Sequence, residues 1–249
     1  MITKLPLLLS VSLAALCLTT QAAPNHLVTD NFGFRATTNS GELLFGKTTQ
    51  TGGTLYEYPS KLPFQFSKIN GEEVASPAPL TRNSATSFSI PNIPQSGTIR
   101  FEAVVNLNKN KFSGIAGAWI GLTGADSMGL LYGTKADHIA LRFMPISKDA
   151  GHIQLRTRST GKRAVSLSID ALEISNDRDY KLSLEYDIDA KLVTAMVIDL
   201  ASSKSISSSS SLTNPVKLSK GQFDFTAVTA NTQLKELPYF KSISVSSLD

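Results

Sequence analysis

Hydrophobic and polar residues alternate along most of the chain beyond residue 98. Residues 98–107, 138–144 and 180–188 each place apolar side chains at every second position. A period of two is typical of strands that bury one face and expose the other to water. We therefore expect three strands here, whose inward side chains include Phe101, Val105, Leu141, Phe143, Leu182, Leu184 and Tyr186.

Shorter apolar segments, separated by polar turns such as residues 148–151, predict further strands. They are residues 84–90, 115–123, 128–132, 152–157, 164–169, 192–200, 222–228 and 240–247. Many short strands in one continuous pattern predict an all-β fold, a two-sheet antiparallel jelly-roll sandwich. Residues 170–175 form the one helix-like stretch outside the N-terminus, and the serine-rich run 202–211 is predicted to be a mobile loop.

The N-terminus has the pattern of a secretory signal peptide. Lys4 precedes an apolar run over residues 5–18, and Thr20 and Ala22 supply the small residues of a cleavage site. The run is shorter than the roughly 20 apolar residues of a membrane-spanning helix. We predict a signal peptide over 1–22, a single β-sandwich domain over 23–249, no membrane span, and a secreted, periplasmic or cell-surface location.

Composition excludes several kinds of chemistry. Cys17 is the only cysteine and lies in the predicted signal peptide, so disulfides, thiolate metal sites and a cysteine nucleophile are excluded from the mature chain. The formal net charge of +4 is spread along the sequence. Because no single element gathers the lysines and arginines, we expect no nucleic-acid partner. No pattern in the sequence indicates an oligomeric state.

Four strings along residues 27–247 are similar to a known superfamily. They are Asp30-Asn31-Phe32 with Gly52-Gly53, residues 104–107 with 118–122, residues 180–187 with 192–195, and residues 240–245. Together they resemble the concanavalin A-like lectin/glucanase superfamily, in the divergent laminin-G-like form of exported bacterial proteins. The resemblance implies a jelly roll of two curved antiparallel sheets and a carbohydrate partner on the concave face.

Residues 137–159 form a predicted hairpin with polar side chains on one face. If Arg142 pairs with His152, then Ala140 pairs with Gln154, and a slip of two residues preserves the shared face. Imidazole, guanidinium and amide groups hydrogen-bond to sugar hydroxyls or carboxylates. We expect a ligand-binding surface on the concave side, lined by His138, Arg142, His152, Gln154 and Arg156. An ordinary solvated sheet face is the alternative, and Trp119 is expected to pack in the core.

A catalytic role has weaker support from the residues. Glu185, Asp187 and Asp189 resemble the Glu-x-Asp-x-(x)-Glu strand of the superfamily's retaining glucanases, but the third carboxylate is an aspartate in a predicted turn. No Gly-x-Ser-x-Gly elbow or zinc-type histidine cluster occurs. We predict no catalytic residue and favour a non-catalytic carbohydrate-binding or cell-surface module.

Two alternatives stay open beside that module. One is a glycan-active hydrolase or lyase with catalytic groups among Glu102, Glu185, Asp187, His138 and Arg142. The other is a structural envelope or matrix protein. No cofactor is expected except at a candidate calcium site, where Asp30 and Asp249 supply oxygen ligands near the two chain ends.

Overall fold

A computed structural model describes most of the chain beyond the predicted signal peptide. It covers residues 23–33, 39–52, 55–57, 64–78, 83–107, 116–123, 137–145, 150–159, 162–173, 178–216, 218, 222–229 and 238–248. The predicted signal peptide, the predicted strand 128–132 and Asp249 lie outside these residues. In the covered part, no helix is long and apolar enough to cross a membrane.

The described residues form fifteen strands arranged in two antiparallel sheets. Sheet A has the order β13-β12-β11-β6-β15-β4-β3, with β1 also paired to β15, and sheet B has the order β10-β9-β8-β7-β14-β5-β2. The strands are β1 (Asn25–Asp30), β2 (Tyr56–Glu57), β3 (Phe64–Ile69), β4 (Glu72–Pro77), β5 (Asn83–Ser89), β6 (Thr98–Asn106), β7 (Ala116–Thr123), β8 (His138–Pro145), β9 (Ala150–Ser159), β10 (Lys162–Glu173), β11 (Asp179–Asp187), β12 (Leu192–Asp199), β13 (Ser205–Ser211), β14 (Gln222–Thr229) and β15 (Tyr239–Ser247). The prediction of an all-β, two-sheet antiparallel fold is confirmed.

The apolar core lies between the two sheets, where the alternating side chains meet. All seven side chains predicted to be inward have an exposed fraction of 0%. Aromatic rings join the sheets: the ring of Phe225 on β14 lies 5.1 Å from that of Phe64 on β3 and 4.9 Å from that of Phe240 on β15. Such ring pairs stabilise a core beyond the apolar area they bury. The sequence pattern therefore predicts the inward faces correctly.

The serine-rich run is a strand, so the prediction of a mobile loop is wrong for most of it. Strand β13 pairs with β12 from Ser205 opposite Ile198 to Ser211 opposite Leu192. Ile206 is buried in the core, and alternate serines are exposed. A strand at the edge of a sheet is held by its backbone hydrogen bonds and one buried side chain, so serine is tolerated there.

The stretch over residues 170–175, predicted to be helix-like, is strand as far as Glu173. Strand β10 continues to Glu173, and its pairing with β9 resumes at Leu172 opposite Gly151 after a register shift. Leu172 is buried in the common core. Pairing with a neighbouring strand and burial of this leucine override the weak local preference for helix, so the helical interpretation is wrong.

Candidate functional site

The face of sheet B that points away from sheet A, here called the outer face, carries the predicted ligand-binding residues. Strand register arranges its side chains in rows that cross strands β9, β8, β7 and β14. The Trp119 row consists of Gln154, Arg142, Trp119 and Thr226. The Asp224 row consists of Arg156, Ala140, Gly121, Asp224, Ser87 and Glu57. The Thr123 row consists of Arg158, His138, Thr123, Gln222 and Ser89.

The register of the β8–β9 hairpin differs from the predicted one by two residues. Arg142 pairs with Gln154, and His152 pairs with Met144 instead of Arg142. The ladder continues to Pro145 opposite Gly151, so the hairpin is centred one residue later than predicted. Since a slip of two keeps every side chain on its face, the five predicted residues still share the outer face. Their role in binding stays a prediction.

The outer face is not an evenly solvated surface. Thr123 has an exposed fraction of 0%, and His138 and Ala140 are almost completely buried. The Thr123 hydroxyl donates a 3.4 Å hydrogen bond to Gln222 Oε1, and Gln222 Nε2 donates to the Ser87 hydroxyl at 3.2 Å. Buried polar groups of this kind need partners, and these side chains supply them to one another. The middle of the face is therefore a built polar layer.

Arg142 and Trp119 form a stacked pair in the Trp119 row. The guanidinium carbon of Arg142 lies 3.5 Å from the ring centroid of Trp119, and its Nη1 donates a 3.2 Å hydrogen bond to Gln154 Oε1. Such cation–π contacts fix the orientation of both side chains. Arg142 and Gln154 remain partly exposed. The pair thus presents an ordered guanidinium and an amide to a molecule on this face.

Trp119 is buried in an apolar cluster, as predicted, although not in the main core between the sheets. It belongs to a separate apolar cluster with Ala140 and Met144 on the outer face. Its neighbours Ala118 and Ile120 point into the common core. Because successive side chains on a strand point to opposite faces, Trp119 has to point outward. This alternation was readable in the sequence.

Asp224 is a candidate functional residue that the sequence reading missed. It lies on β14 between the core residues Phe223 and Phe225 and faces Gly121 on β7. Burial raises the pKa of Asp224 well above its ordinary value, and the negative charge of Glu57 raises that pKa further. The sequence does place a single acidic residue between two phenylalanines. The alternation of the strand, however, assigns that residue to the outward face, where a solvent-exposed carboxylate is ordinary.

Asp224 and two residues near it each have a buried polar atom without a hydrogen-bond partner among the described residues. The atoms are Asp224 Oδ2, Thr226 Oγ1 and Trp119 Nε1, and we call their side chains the unpaired cluster. The exposed fractions are 4% for Asp224, 0% for Thr226 and 6% for Trp119. Thr226 pairs directly with Trp119 across β14 and β7. Unpaired buried polar groups are rare in folded proteins, so a cluster of three marks a functional candidate.

His152 lies at the edge of the same face. Burial lowers the pKa of its imidazole below the ordinary value, and its Nδ1 has no hydrogen-bond partner in the part of the chain that the structure describes. The neutral imidazole can both donate and accept a hydrogen bond. It therefore extends the polar surface beyond Gln154, next to Met144.

The carboxylates of the predicted enzyme alternative do not join this face. Glu185 forms a 2.7 Å ion pair with Arg100, and Glu102 forms a 3.0 Å ion pair with Lys181 on the outer side of sheet A. The Asp187 carboxylate accepts a 2.7 Å hydrogen bond from the backbone of the following turn. The sandwich core separates these groups from His138 and Arg142 on sheet B. One site composed of all five residues is therefore excluded. The sequence does not reveal this, because the alternation along a strand does not say which sheet the strand joins.

Asp30, predicted from the sequence as a calcium ligand, already accepts hydrogen bonds within the fold, and its role in metal binding stays a prediction. Its Oδ2 accepts a 2.7 Å hydrogen bond from the Tyr56 hydroxyl, and its Oδ1 accepts a 2.7 Å hydrogen bond from the backbone of Phe32. The residue is buried, so it fixes the end of β1 against β2. Asp249 lies outside the described residues, which contain no group of three or more His, Cys, Asp or Glu able to hold a metal ion.

Comparison with known proteins identifies the fold. No protein-family model and no curated protein sequence matches this chain. Among solved structures, lectin UEA-II complexed with galactose aligns with a TM-score of 0.54 at 14% identity, over 84% of this chain and 99% of that chain. A carbohydrate esterase from Shiga toxin-encoding bacteriophage phi24B aligns with a TM-score of 0.51 at 8% identity, over 91% of this chain and 100% of that one.

A third structure, winged bean acidic lectin complexed with methyl-α-D-galactose, aligns with a TM-score of 0.50 at 13% identity, over 89% of this chain and 98% of that chain. At these identities the likeness is one of fold. The chain has the concanavalin A-like jelly-roll fold of legume lectins, as the resemblance of its sequence implies.

Proposed function

We propose that this protein is a secreted, non-catalytic carbohydrate-binding module that holds a glycan on the outer face of sheet B. The observation that carries the proposal is the Arg142–Trp119 stack, flanked by Gln154 and lying beside a cluster of unpaired buried polar atoms. Solved structures of the same fold include a lectin complexed with galactose and another complexed with methyl-α-D-galactose, which supports a sugar as the ligand.

The side chains on β8 and β9 favour an acidic glycan. Arg142, Gln154 and Arg156 are partly exposed on neighbouring positions of the outer face. Guanidinium groups donate two hydrogen bonds at once to a carboxylate or sulfate and single bonds to hydroxyls. Glycans that carry uronate or sulfate groups therefore match this end of the face better than neutral glycans do.

Export belongs to the proposal and rests on the N-terminal sequence. Lys4, the apolar run over 5–18 and the small residues Thr20 and Ala22 have the order of a signal peptide. Cleavage before Ala23 would deliver a mature chain without cysteine, which suits an oxidising compartment because no thiol is left to react.

The deciding experiment is glycan-array binding of the purified mature protein, followed by calorimetry on the glycans that bind. We expect binding to uronate- or sulfate-bearing glycans that Arg142→Ala weakens. Arg100→Ala is the matched control, since Arg100 forms an ion pair with Glu185 on the other sheet. Absence of binding to every glycan would overturn the proposal and favour a structural envelope or matrix protein.

Hydrolysis of a glycan is the second candidate function, and the Asp224 row favours it. Asp224 and Glu57 lie on either side of Ser87, so their α-carbons are about 10 Å apart by the spacing of strands. Inverting glycosidases use a protonated and an ionised carboxyl group about 6.5–9.5 Å apart. The buried Asp224 would be the acid and the exposed Glu57 the base.

A reducing-end assay on the glycans that bind tests this second candidate. Release of new reducing ends that is abolished by both Asp224→Asn and Glu57→Gln would establish hydrolysis. Binding without any release would leave the non-catalytic module as the function. Release that survives both substitutions would exclude Asp224 and Glu57 as the catalytic pair.

A further inference from the structure

The polar side chains at the middle of the outer face divide into two groups. The side chains of Thr123, Gln222 and Ser87 are linked by hydrogen bonds, with Gln222 in the middle. Asp224, Thr226 and Trp119 lie directly beside them, equally buried, and each keeps a polar atom without a partner among the described residues. A buried polar atom without a partner destabilises the fold. Three such atoms at neighbouring positions of one sheet face indicate a place where a ligand supplies the missing bonds.

The positions of these side chains set the size of that ligand. Trp119 and Thr226 are direct cross-strand partners, about 5 Å apart at their β-carbons. Asp224 lies two residues before Thr226 on the same face, about 7 Å along β14. Gly121, the residue opposite Asp224, has no side chain to meet the carboxyl group. A triangle of these dimensions matches one sugar ring with hydroxyls on neighbouring carbons.

The chemistry of the three groups sets the class of the ligand. The indole N–H of Trp119 only donates, whereas the Thr226 hydroxyl donates and accepts. Burial raises the pKa of the Asp224 carboxyl group and so favours its protonated form, which both donates and accepts hydrogen bonds. Neighbouring sugar hydroxyls have the same dual character. No side chain of this cluster carries the positive charge that an anionic group would require.

We infer that Asp224, Thr226 and Trp119 form a buried subsite for the adjacent hydroxyls of one uncharged sugar ring. The inference deepens and rests on the proposed carbohydrate-binding function. Any anionic groups of the glycan lie outside this subsite, over Arg142 and Arg156.

Access to the subsite runs past Arg142. Its guanidinium lies on the ring of Trp119 while the arginine is still partly exposed. We expect glycan binding to turn Arg142 outward, which would uncover the indole and let the guanidinium donate to the glycan. Trp119 is the only tryptophan in the chain, so its fluorescence and its indole N–H resonance report this event without interference.

Two threonines offer a matched pair of variants. Thr226→Val removes an unpaired hydroxyl, and Thr123→Val removes a paired one from the same face at the same burial. We expect Thr226→Val to raise the melting temperature of the free protein and to weaken glycan binding roughly fivefold, the loss of one uncharged hydrogen bond. Thr123→Val should lower the melting temperature and leave the affinity unchanged.

A small-molecule probe makes the test independent of the glycan's identity. The indole ¹H–¹⁵N resonance of Trp119 is followed during titration with cyclohexane-1,2-diol, and with cyclohexanol as the control that lacks a second hydroxyl. We expect a saturable shift with the diol that Thr226→Val reduces, and a smaller shift with cyclohexanol.

The outcomes separate the subsite from the wider function. Glycan binding that is unaffected by Thr226→Val, with an unmoved indole resonance, overturns the subsite and leaves the proposed function standing. A diol-dependent resonance in a protein that binds no glycan supports the subsite and overturns the proposed function. If Thr226→Val lowers the melting temperature as Thr123→Val does, its hydroxyl is paired in solution by water, and the subsite is also overturned.

Discussion

The guanidinium of Arg142 lies 3.5 Å over the indole ring of Trp119, and this contact joins the hairpin β8–β9 to the centre of sheet B. It places a stacked and hydrogen-bonded cation at the border between the partly exposed hairpin and the buried polar layer. The consequences for binding are open to direct measurement.

Replacement of this arginine is the first test. Arg142→Ala should weaken binding of an acidic glycan by about 1.5–3 kcal/mol, the scale of a charge-assisted hydrogen bond. Added salt should weaken binding to the unmodified protein, because exposed charges are screened. Calorimetry at low and high salt measures both effects. Equal affinity of the variant and the unmodified protein would reduce the arginine to a structural role.

Asp224 should make the protein less stable as pH rises. Its pKa in the folded state is raised by burial and by Glu57, so the folded state binds a proton that the unfolded state has lost. The free energy of unfolding should therefore fall as pH increases from the unfolded value of about 3.9 toward the raised folded value. Asp224→Asn should remove this dependence and be the more stable protein at neutral pH. Urea titrations of both proteins across this range provide the measurement, and parallel curves would contradict it.

Asp199 should have the opposite effect on stability. Burial alone would raise its pKa, but hydrogen bonds from Ser202 and the backbone of Ala201, together with the charge of Arg178, hold the pKa below its ordinary value. Its contribution is present above the unfolded pKa and is lost as pH falls through the folded one.

The matching variant is Asp199→Asn. It should cost about 1.5–3 kcal/mol of unfolding free energy at neutral pH, since charged hydrogen-bond partners are lost in a buried place. The difference from the unmodified protein should shrink in acid. Chemical denaturation at neutral and acidic pH measures it, and a constant difference would show that the carboxylate is not ionised in the fold.

The hydrogen bond from Tyr56 to Asp30 should be structural. Tyr56→Phe leaves a buried carboxylate oxygen with one donor fewer, and we expect a loss of about 1.5–3 kcal/mol of unfolding free energy. Added calcium should not change the melting temperature of the unmodified protein, because both Asp30 oxygens already accept hydrogen bonds. A calcium-dependent rise in melting temperature would instead support the predicted metal site in this region.

Export should remove the first 22 residues. N-terminal sequencing of protein recovered from the medium or the cell envelope should begin at Ala23, following the small residues Thr20 and Ala22. Mature protein that still begins with Met1 would contradict both the signal peptide and the secreted location.

The sequence by itself determined which side of each strand is buried. Phe101, Leu141 and Leu184 lie at alternate positions among polar residues, and a strand has no other way to bury them than by turning that face inward. The same parity put His138, Arg142 and Gln154 on one face, and it survived an error of two residues in the hairpin register.

Only the tertiary structure decided how separate strands combine into a site. Asp224 and Trp119 lie far apart in the sequence and meet because β14 inserts between β7 and β5, a pairing that no local pattern encodes. Glu185 is excluded from that site because β11 joins sheet A, although its alternation resembles that of β8. The alternation of inward and outward side chains is a property of one strand. The order of strands in a sheet depends on burying the apolar faces of all strands at once. For that reason the unpaired cluster is visible only in the folded protein.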